Sequence, residues 1–277
     1  MRVHQLGDGV PEIAVVGGIH GDEPCGPAAI ERLVAEDPDV ARPVKLVVAN
    51  EEALERDTRY VDEDLNRAFP GSRDAETHEG RLAAALAREL DGCTTFSLHS
   101  TQSYAEPFAL CDTVDEVVRA VVPSLPVDTL VETDRFTEGR LIEHPHTVEV
   151  ECGLQGSTEA ADNAYWLVRA FLTATETLPA PVAEEESNDG LVGLAGDAEE
   201  ATNEVDVFRL LDPIAKPPAD RYEVFAHNFE RVEAGEQFAT ADGESFTADE
   251  PFYPVLLSAY GYEDVFGYAA ENVGTLT

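Results

Sequence analysis

The chain has 277 residues, 43% of them hydrophobic, enough for one large core or for a main domain with a smaller one beside it. Its 56 acidic residues outweigh 18 arginines and lysines, a formal charge of -38, which argues against nucleic acid or an anionic membrane as partner, since both select a positive surface. Lys45 and Lys216 are the two lysines, and the acids spread along the whole chain, as in proteins kept soluble at very high salt; a halophilic archaeal cytoplasm is the expected setting. Repulsion among these carboxylates is screened over about 10 Å at 0.1 M salt but about 3 Å at 1 M. The melting temperature should therefore rise with KCl, and equal values in dilute and molar KCl would contradict a salt-adapted surface.

The opening "MRVHQLGDGVPE" lacks the apolar core of a secretory signal, and no window approaches the roughly 18 apolar residues of a spanning helix, so a soluble, cytoplasmic protein is expected. "EIAVVGG" then reads as a buried strand, "PAAIERLVAE" as a helix, "VKLVVAN" as a strand, "HEGRLAAALARELD" as a helix, and "TTFSLHS" and "TVEVEC" as strands. That alternation describes an α/β domain, residues 1–178, with a mostly parallel sheet flanked by helices, closed by the helical pattern of "TEAADNAYWLVRAFLTATETL". Residues 179–202, rich in Pro, Gly and acids, read as a linker. Beyond them "VDVFRLLDPIAK", "YEVFAHNFERV", "EQFATADG" and "PFYPVLLSAYGY" predict a smaller β-rich domain over 203–277. The cysteines Cys25, Cys93, Cys111 and Cys152 form no CxxC pair and read as small buried hydrophobes.

Three constellations carry chemistry. In "VVGGIHGDEPCG", His20 and Glu23 fall after a strand and before a helix, where α/β sheets place functional groups. A lone pair of this kind also suits a solvated loop with its carboxylate near a helix dipole. Joined by His99, which closes "TTFSLHS", it would make the three-ligand, one-open-position shell of hydrolytic zinc. "TRYVDEDLNRAFPG" gathers Arg59, Asp64, Asn66 and Arg67; two guanidiniums beside an amide suit bidentate binding of a carboxylate and polarisation of a carbonyl. In "TVEVECGLQGS" alternation puts Glu149 and Glu151 on one strand face. Glu151, nearest the strand end, is the better general base, leaving Glu149 as an exposed carboxylate.

These motifs, in this order, together with "LHSTQS", "HNFERVEAGEQFATADGESF" and "PFYPVLLSAYGYED", resemble the aspartoacylase and succinylglutamate desuccinylase family, relatives of the zinc carboxypeptidases. The resemblance implies a zinc-carboxypeptidase-like mixed sheet, with one zinc ion per chain held by His20, Glu23 and His99. Glu151 would be the base that later protonates the leaving amine, and Arg59 would polarise the scissile carbonyl. Asn66 and Arg67, supported by Asp64, would hold a substrate carboxylate, with Arg140 close to another carboxylate-binding arginine of the family and Tyr262 matching its substrate tyrosine. Ser97 stands where many members have an Asp two residues before the zinc histidine, which puts the orientation of His99 in question.

The implied reaction is hydrolysis of the amide of a small anionic N-acyl amino acid, of the N-acetyl or N-succinyl type, to a carboxylate and a free amino acid, with "HST" and Ser103 tilting toward short acyl groups such as acetyl. A carboxypeptidase-like peptidase and a non-catalytic zinc or ligand-binding homologue are the alternatives. Co, Ni or Mn also suit such ligands, and a homo-oligomer is left open.

Overall fold

The computed structural model describes residues 1–179 and 203–277; of the linker expected at 179–202, all but Pro179 lies outside the described residues. Five short to medium strands and their helices make the first half: β1 (Arg2–Leu6), β2 (Ile13–Gly17), α1 (Cys25–Glu36), β3 (Val44–Val48), α2 (Glu51–Arg56), α3 (His78–Glu89), β4 (Thr94–Thr101) and β5 (Phe108–Cys111). There follow α4 (Glu116–Val121), β6 (Thr129–Glu132), β7 (Thr147–Leu154), α5 (Thr158–Ala174), β8 (Val205–Ala215), β9 (Tyr222–Val224), β10 (Gln237–Ala241), β11 (Glu244–Thr247), β12 (Tyr253–Val255) and β13 (Val265–Leu276).

Ten strands form one mixed sheet in the order β1-β3-β2-β4-β7-β5-β6-β8-β13-β12. Its centre is parallel, with β2 between β3 and β4 and β4 beside β7, whereas β5 runs antiparallel to β7. The central strands β2, β3, β4 and β7 are buried on both faces along almost their whole length, as parallel strands under helices must be. Val15 packs on one side with Ile30 and Leu33 of α1 and Phe171 of α5. Its neighbours Ala14 and Val16 point to the other side and meet Leu82, Ala83 and Leu86 of α3. Phe96 of β4 stacks on Phe171 at 4.5 Å between ring centroids. Helix entry is fixed by side chains that accept orphan backbone N–H groups: Asn50 for α2, Thr77 for α3 and Ser157 for α5.

The expected mixed α/β architecture with a β-rich C-terminal part is the one observed. Within 203–277, β8, β13 and β12 continue the ten-stranded sheet, while β9, β10 and β11 form a separate three-stranded sheet. Phe238, Ala239, Val232, Leu257 and Phe266 make a local core there. The run "PFYPVLLSAYGY" is strand only over Tyr253–Val255; its remainder is a loop that reaches back toward the parallel strands. All four cysteines are free and buried. Among the described residues no helix is long and apolar enough to cross a membrane.

Candidate metal and catalytic site

β2 stops at Gly17, and His20 follows at the carboxyl edge of the sheet before α1 begins at Cys25. The glycines of this stretch allow close approach. A Cβ on Gly17 would lie 2.6 Å from the carbonyl carbon of Gly26, and one on Gly21 would lie 2.1 Å from that of Ala53 in α2. Gly21 N donates to Arg59 O at 3.1 Å, tying the His20 turn to the second motif. β4 runs parallel to β2, with Leu98 opposite Gly17, so His99 emerges at the same edge.

His20, Glu23 and His99 meet there with ligating atoms within 4.8 Å of one another, each residue no more than 4% exposed. Both imidazoles turn Nδ1 to the Glu23 carboxylate, His20 at 2.8 Å and His99 at 3.2 Å. Their other nitrogens face outward: His20 Nε2 lies 2.9 Å from Asp64 Oδ1, and His99 Nε2 lies 3.2 Å from Ser97 Oγ. Burial opposes charge on both rings, yet carboxylates prevail: Glu23 and Asp64 raise the pKa of His20, and Glu149 followed by Glu23 raises that of His99 to about 10. Glu23 is held well below the usual carboxylate range by the two histidines against its own burial. A field that favours protons on two facing imidazoles also favours a cation between them, and two imidazole nitrogens with one carboxylate are a donor set suited to zinc. The residues fit the metal.

Glu149 and Glu151 both project from β7 to this cluster, opposite Ser97 and His99 in the β4 register. Glu149 is not the exposed carboxylate expected from sequence: it is 6% exposed, because β7 is an interior strand with β4 on one side and β5 on the other. Oε1 of Glu149 and Oε2 of Glu151 are buried without a hydrogen-bond partner. Burial and then repulsion from Glu23 raise Glu151 to about 7, poised to take a proton near neutrality.

Arg59 spans the metal cluster and the second motif, its Nη1 at 3.2 Å from Glu23 Oε1 and its Nε at 3.2 Å from Asp64 Oδ2. Asp64 accepts from Asn66 N at 2.8 Å, capping the turn that carries Asn66 and Arg67. Asn66 Oδ1 accepts from Leu141 N at 2.8 Å, so the amide leaves its NH2 donor for the cavity and anchors the segment of Arg140. Arg59, Asn66, Arg67, Arg140, Glu151 and Tyr262 all line the cavity that contains the metal cluster. Arg140 Nη2 donates to Tyr268 Oη at 3.2 Å. Burial first, then the neighbouring Arg140, lowers the pKa of Arg67, as expected for two guanidiniums sharing a small space. Ser103 falls instead in an adjoining cavity of about 420 Å³.

Several supporting residues escaped sequence reasoning. Glu79, fully buried at the start of α3, accepts from the backbone N–H groups of Val61, Asp62 and Glu63 and from Asn50 Nδ2, and so holds the loop of Arg59 and Asp64 in place. Asn228 accepts from Leu257 N at 2.7 Å and donates to Ser103 O at 2.9 Å, fastening the Tyr262 loop to the end of β4. Lys216 Nζ donates to the carbonyl of Tyr262 itself. An acid in the first turn of a helix is a readable sequence signal, but Glu79 turns to a remote loop, and nothing local marks that.

Residues 9–119 match the succinylglutamate desuccinylase/aspartoacylase catalytic domain. The family match covers His20, Glu23, the Arg59 motif and His99 but ends before β7. The chain is similar to the aspartoacylase of Xenopus tropicalis, 35% identical over 72 residues that make up 25% of this chain and 23% of the relative. It is similar to the succinylglutamate desuccinylase of Pseudomonas aeruginosa, 33% identical over 104 residues covering 31% of each. The matched segments thus span less than a third of those relatives. In three dimensions the similarity runs almost end to end. The product-bound ectoine utilization protein EutE (DoeB) of Ruegeria pomeroyi superposes with TM-score 0.73 at 19% identity, over 99% of this chain and 88% of that one. Murine aminoacylase 3 gives 0.70 at 21%, over 97% and 98%. At these identities the superpositions establish the fold.

Proposed function

We propose that this protein is a zinc-dependent amidohydrolase that cleaves an N-acyl amino acid into a carboxylate and a free amine. The observation that carries the reading is the meeting, in one cavity, of a buried His-Glu-His cluster, an unpartnered carboxylate poised near neutrality and three arginines. His20 and His99 through Nδ1 and Glu23 through its carboxylate would hold the ion. A divalent metal so placed would polarise the scissile carbonyl and lower the pKa of a bound water toward about 7.

The chain's own groups do the rest. Glu151 takes the proton of the attacking water and returns it to the departing nitrogen. Arg59, whose Nη1 lies at the edge of the cluster 3.2 Å from Glu23 Oε1, offers that donor to the developing oxyanion. Arg67 and Arg140, with the Asn66 amide donor between their segments, bind the amino acid's carboxylate, and charge-assisted bonds there set orientation. The Tyr262 loop covers the site from the β-rich side, which favours small substrates over long peptides.

The test is hydrolysis in molar KCl of N-acetyl-aspartate, N-acetyl-diaminobutyrate, N-succinyl-glutamate and a dipeptide. Cleavage of at least one acyl amino acid, lost with chelator, is the expected outcome. Turnover of the dipeptide alone would make the protein a peptidase, and about one zinc per chain with no turnover of any substrate would make it a binding protein.

A further inference from the structure

We infer that Glu149 is the positioning residue for His99, supplying from β7 the orienting carboxylate that Ser97 cannot supply from β4. The inference rests on the metal reading above, and its geometry stands on the page. Each imidazole of the cluster presents Nδ1 inward to Glu23 and Nε2 outward. For His20 the outward nitrogen meets a carboxylate, Asp64 Oδ1, at 2.9 Å. For His99 it meets the Ser97 hydroxyl at 3.2 Å, and beyond it Glu149 Oε1 at 3.8 Å.

Ser97 and Glu149 are direct cross-strand partners in the parallel β4–β7 pairing, and both side chains are buried. Glu149 Oε1 has no hydrogen-bond partner, so the carboxylate oxygen that stands 3.8 Å from His99 Nε2 is uncommitted. A buried carboxylate oxygen without a donor is costly, and a 0.8–1.0 Å movement of a side-chain terminus would bring this one to hydrogen-bonding distance of the imidazole. The small serine makes that approach possible. A carboxylate at position 97 would instead stand beside Glu149 in the same buried space, where two like charges raise each other's energy. The two positions are therefore alternatives: one carboxylate is needed, and this chain places it on the neighbouring strand. A partner of this kind fixes which imidazole nitrogen carries the proton and leaves the other to the metal.

The experiment uses the full chain in molar KCl. Zinc affinity is measured by competition with a chromophoric chelator for wild type, Glu149→Gln, Glu149→Ser and the double variant Ser97→Asp/Glu149→Ser, and the ¹⁵N-edited proton resonance of His99 Nε2 is recorded without zinc. Glu149→Ser and Glu149→Gln should bind zinc about 10- to 100-fold more weakly, and the double variant should recover most of that loss by restoring a carboxylate on the other strand. In the metal-free protein the Nε2 proton should resonate downfield and move upfield in Glu149→Gln. Affinities within twofold of wild type, an Nε2 resonance indifferent to Glu149, or a double variant as weak as Glu149→Ser would each overturn the assignment. Should Glu149→Ser fail to fold, recovery of folded, zinc-binding protein in the double variant still supports it, and failure there counts against it. Wild-type protein that binds no zinc would contradict the metal reading, while the Nε2 resonance would still decide the role of Glu149.

Discussion

Replacing Glu151 by Gln is expected to lower kcat by about 10²- to 10⁴-fold, the usual contribution of a positioned general base, while leaving metal content unchanged. The substitution keeps size and hydrogen-bonding reach and removes basicity alone. Glu151 Oε2 is buried and unpartnered, so no bond that stabilises the fold is lost with it. The same residue sets the acid limb of the pH profile. Burial, then Glu23, raises its pKa to about 7, and the ionised form is the active one, so kcat/KM should climb with pH toward neutrality and level off above it. Positive charge held by His20, Glu23 and His99 would move that limb to lower pH, never higher. Glu151→Gln should lack the limb altogether. Wild-type rates in the variant would show that another group moves the proton.

The second large effect concerns stability. Glu79→Ala should destabilise the protein by at least about 3 kcal/mol, because a buried carboxylate that accepts three backbone N–H groups and the Asn50 amide leaves those donors unsatisfied when it is removed. For a chain of this size that corresponds to a fall in melting temperature of roughly 6–12 °C. Although burial opposes it, the Val61 and Asp62 amides and the others hold Glu79 below its ordinary 4.5. Since the folded value is the lower one, this stabilisation is complete above about pH 4.5 and is lost as the pH falls through the folded value. The variant's melting curve should consequently converge on that of wild type in acid. A change of less than about 1 kcal/mol at pH 7, measured by denaturant titration, would show that the 61–63 loop is held by something else.

The sequence was most informative where chemistry coincides with the end of a buried strand. His20, Glu23 and His99 could be grouped because "EIAVVGG" and "TTFSLHS" are unmistakable interior strands, and parallel strands of one sheet deliver their carboxyl ends to one edge. Elements with weak local signals were silent. β5 and β6 are four residues each, α2 and α4 six, all too short for a periodicity to emerge. β13, at twelve residues the longest strand, is broken by Gly267 and Gly274 and pairs with β8 through three register shifts, so its alternation never becomes regular. Glu79 was illegible, and Glu149 was placed on the right strand face but not recognised as buried, for another reason: in a chain with 56 acidic residues the role of a carboxylate is hidden until its burial and its partners are known. Arg140, placed only by resemblance, lines the cavity because Asn66 Oδ1 pins the following Leu141 N, a contact across 75 residues of chain.

The most direct measurement is the metal content of the purified chain together with the fate of its activity on removal and return of zinc. About one zinc per chain is expected, with hydrolysis of an N-acyl amino acid lost in chelator and restored by zinc, and with His99→Ala binding far less metal than wild type. Hydrolysis that persists undiminished in chelator, or zinc bound equally well by His99→Ala, would contradict a catalytic metal centre at His20, Glu23 and His99.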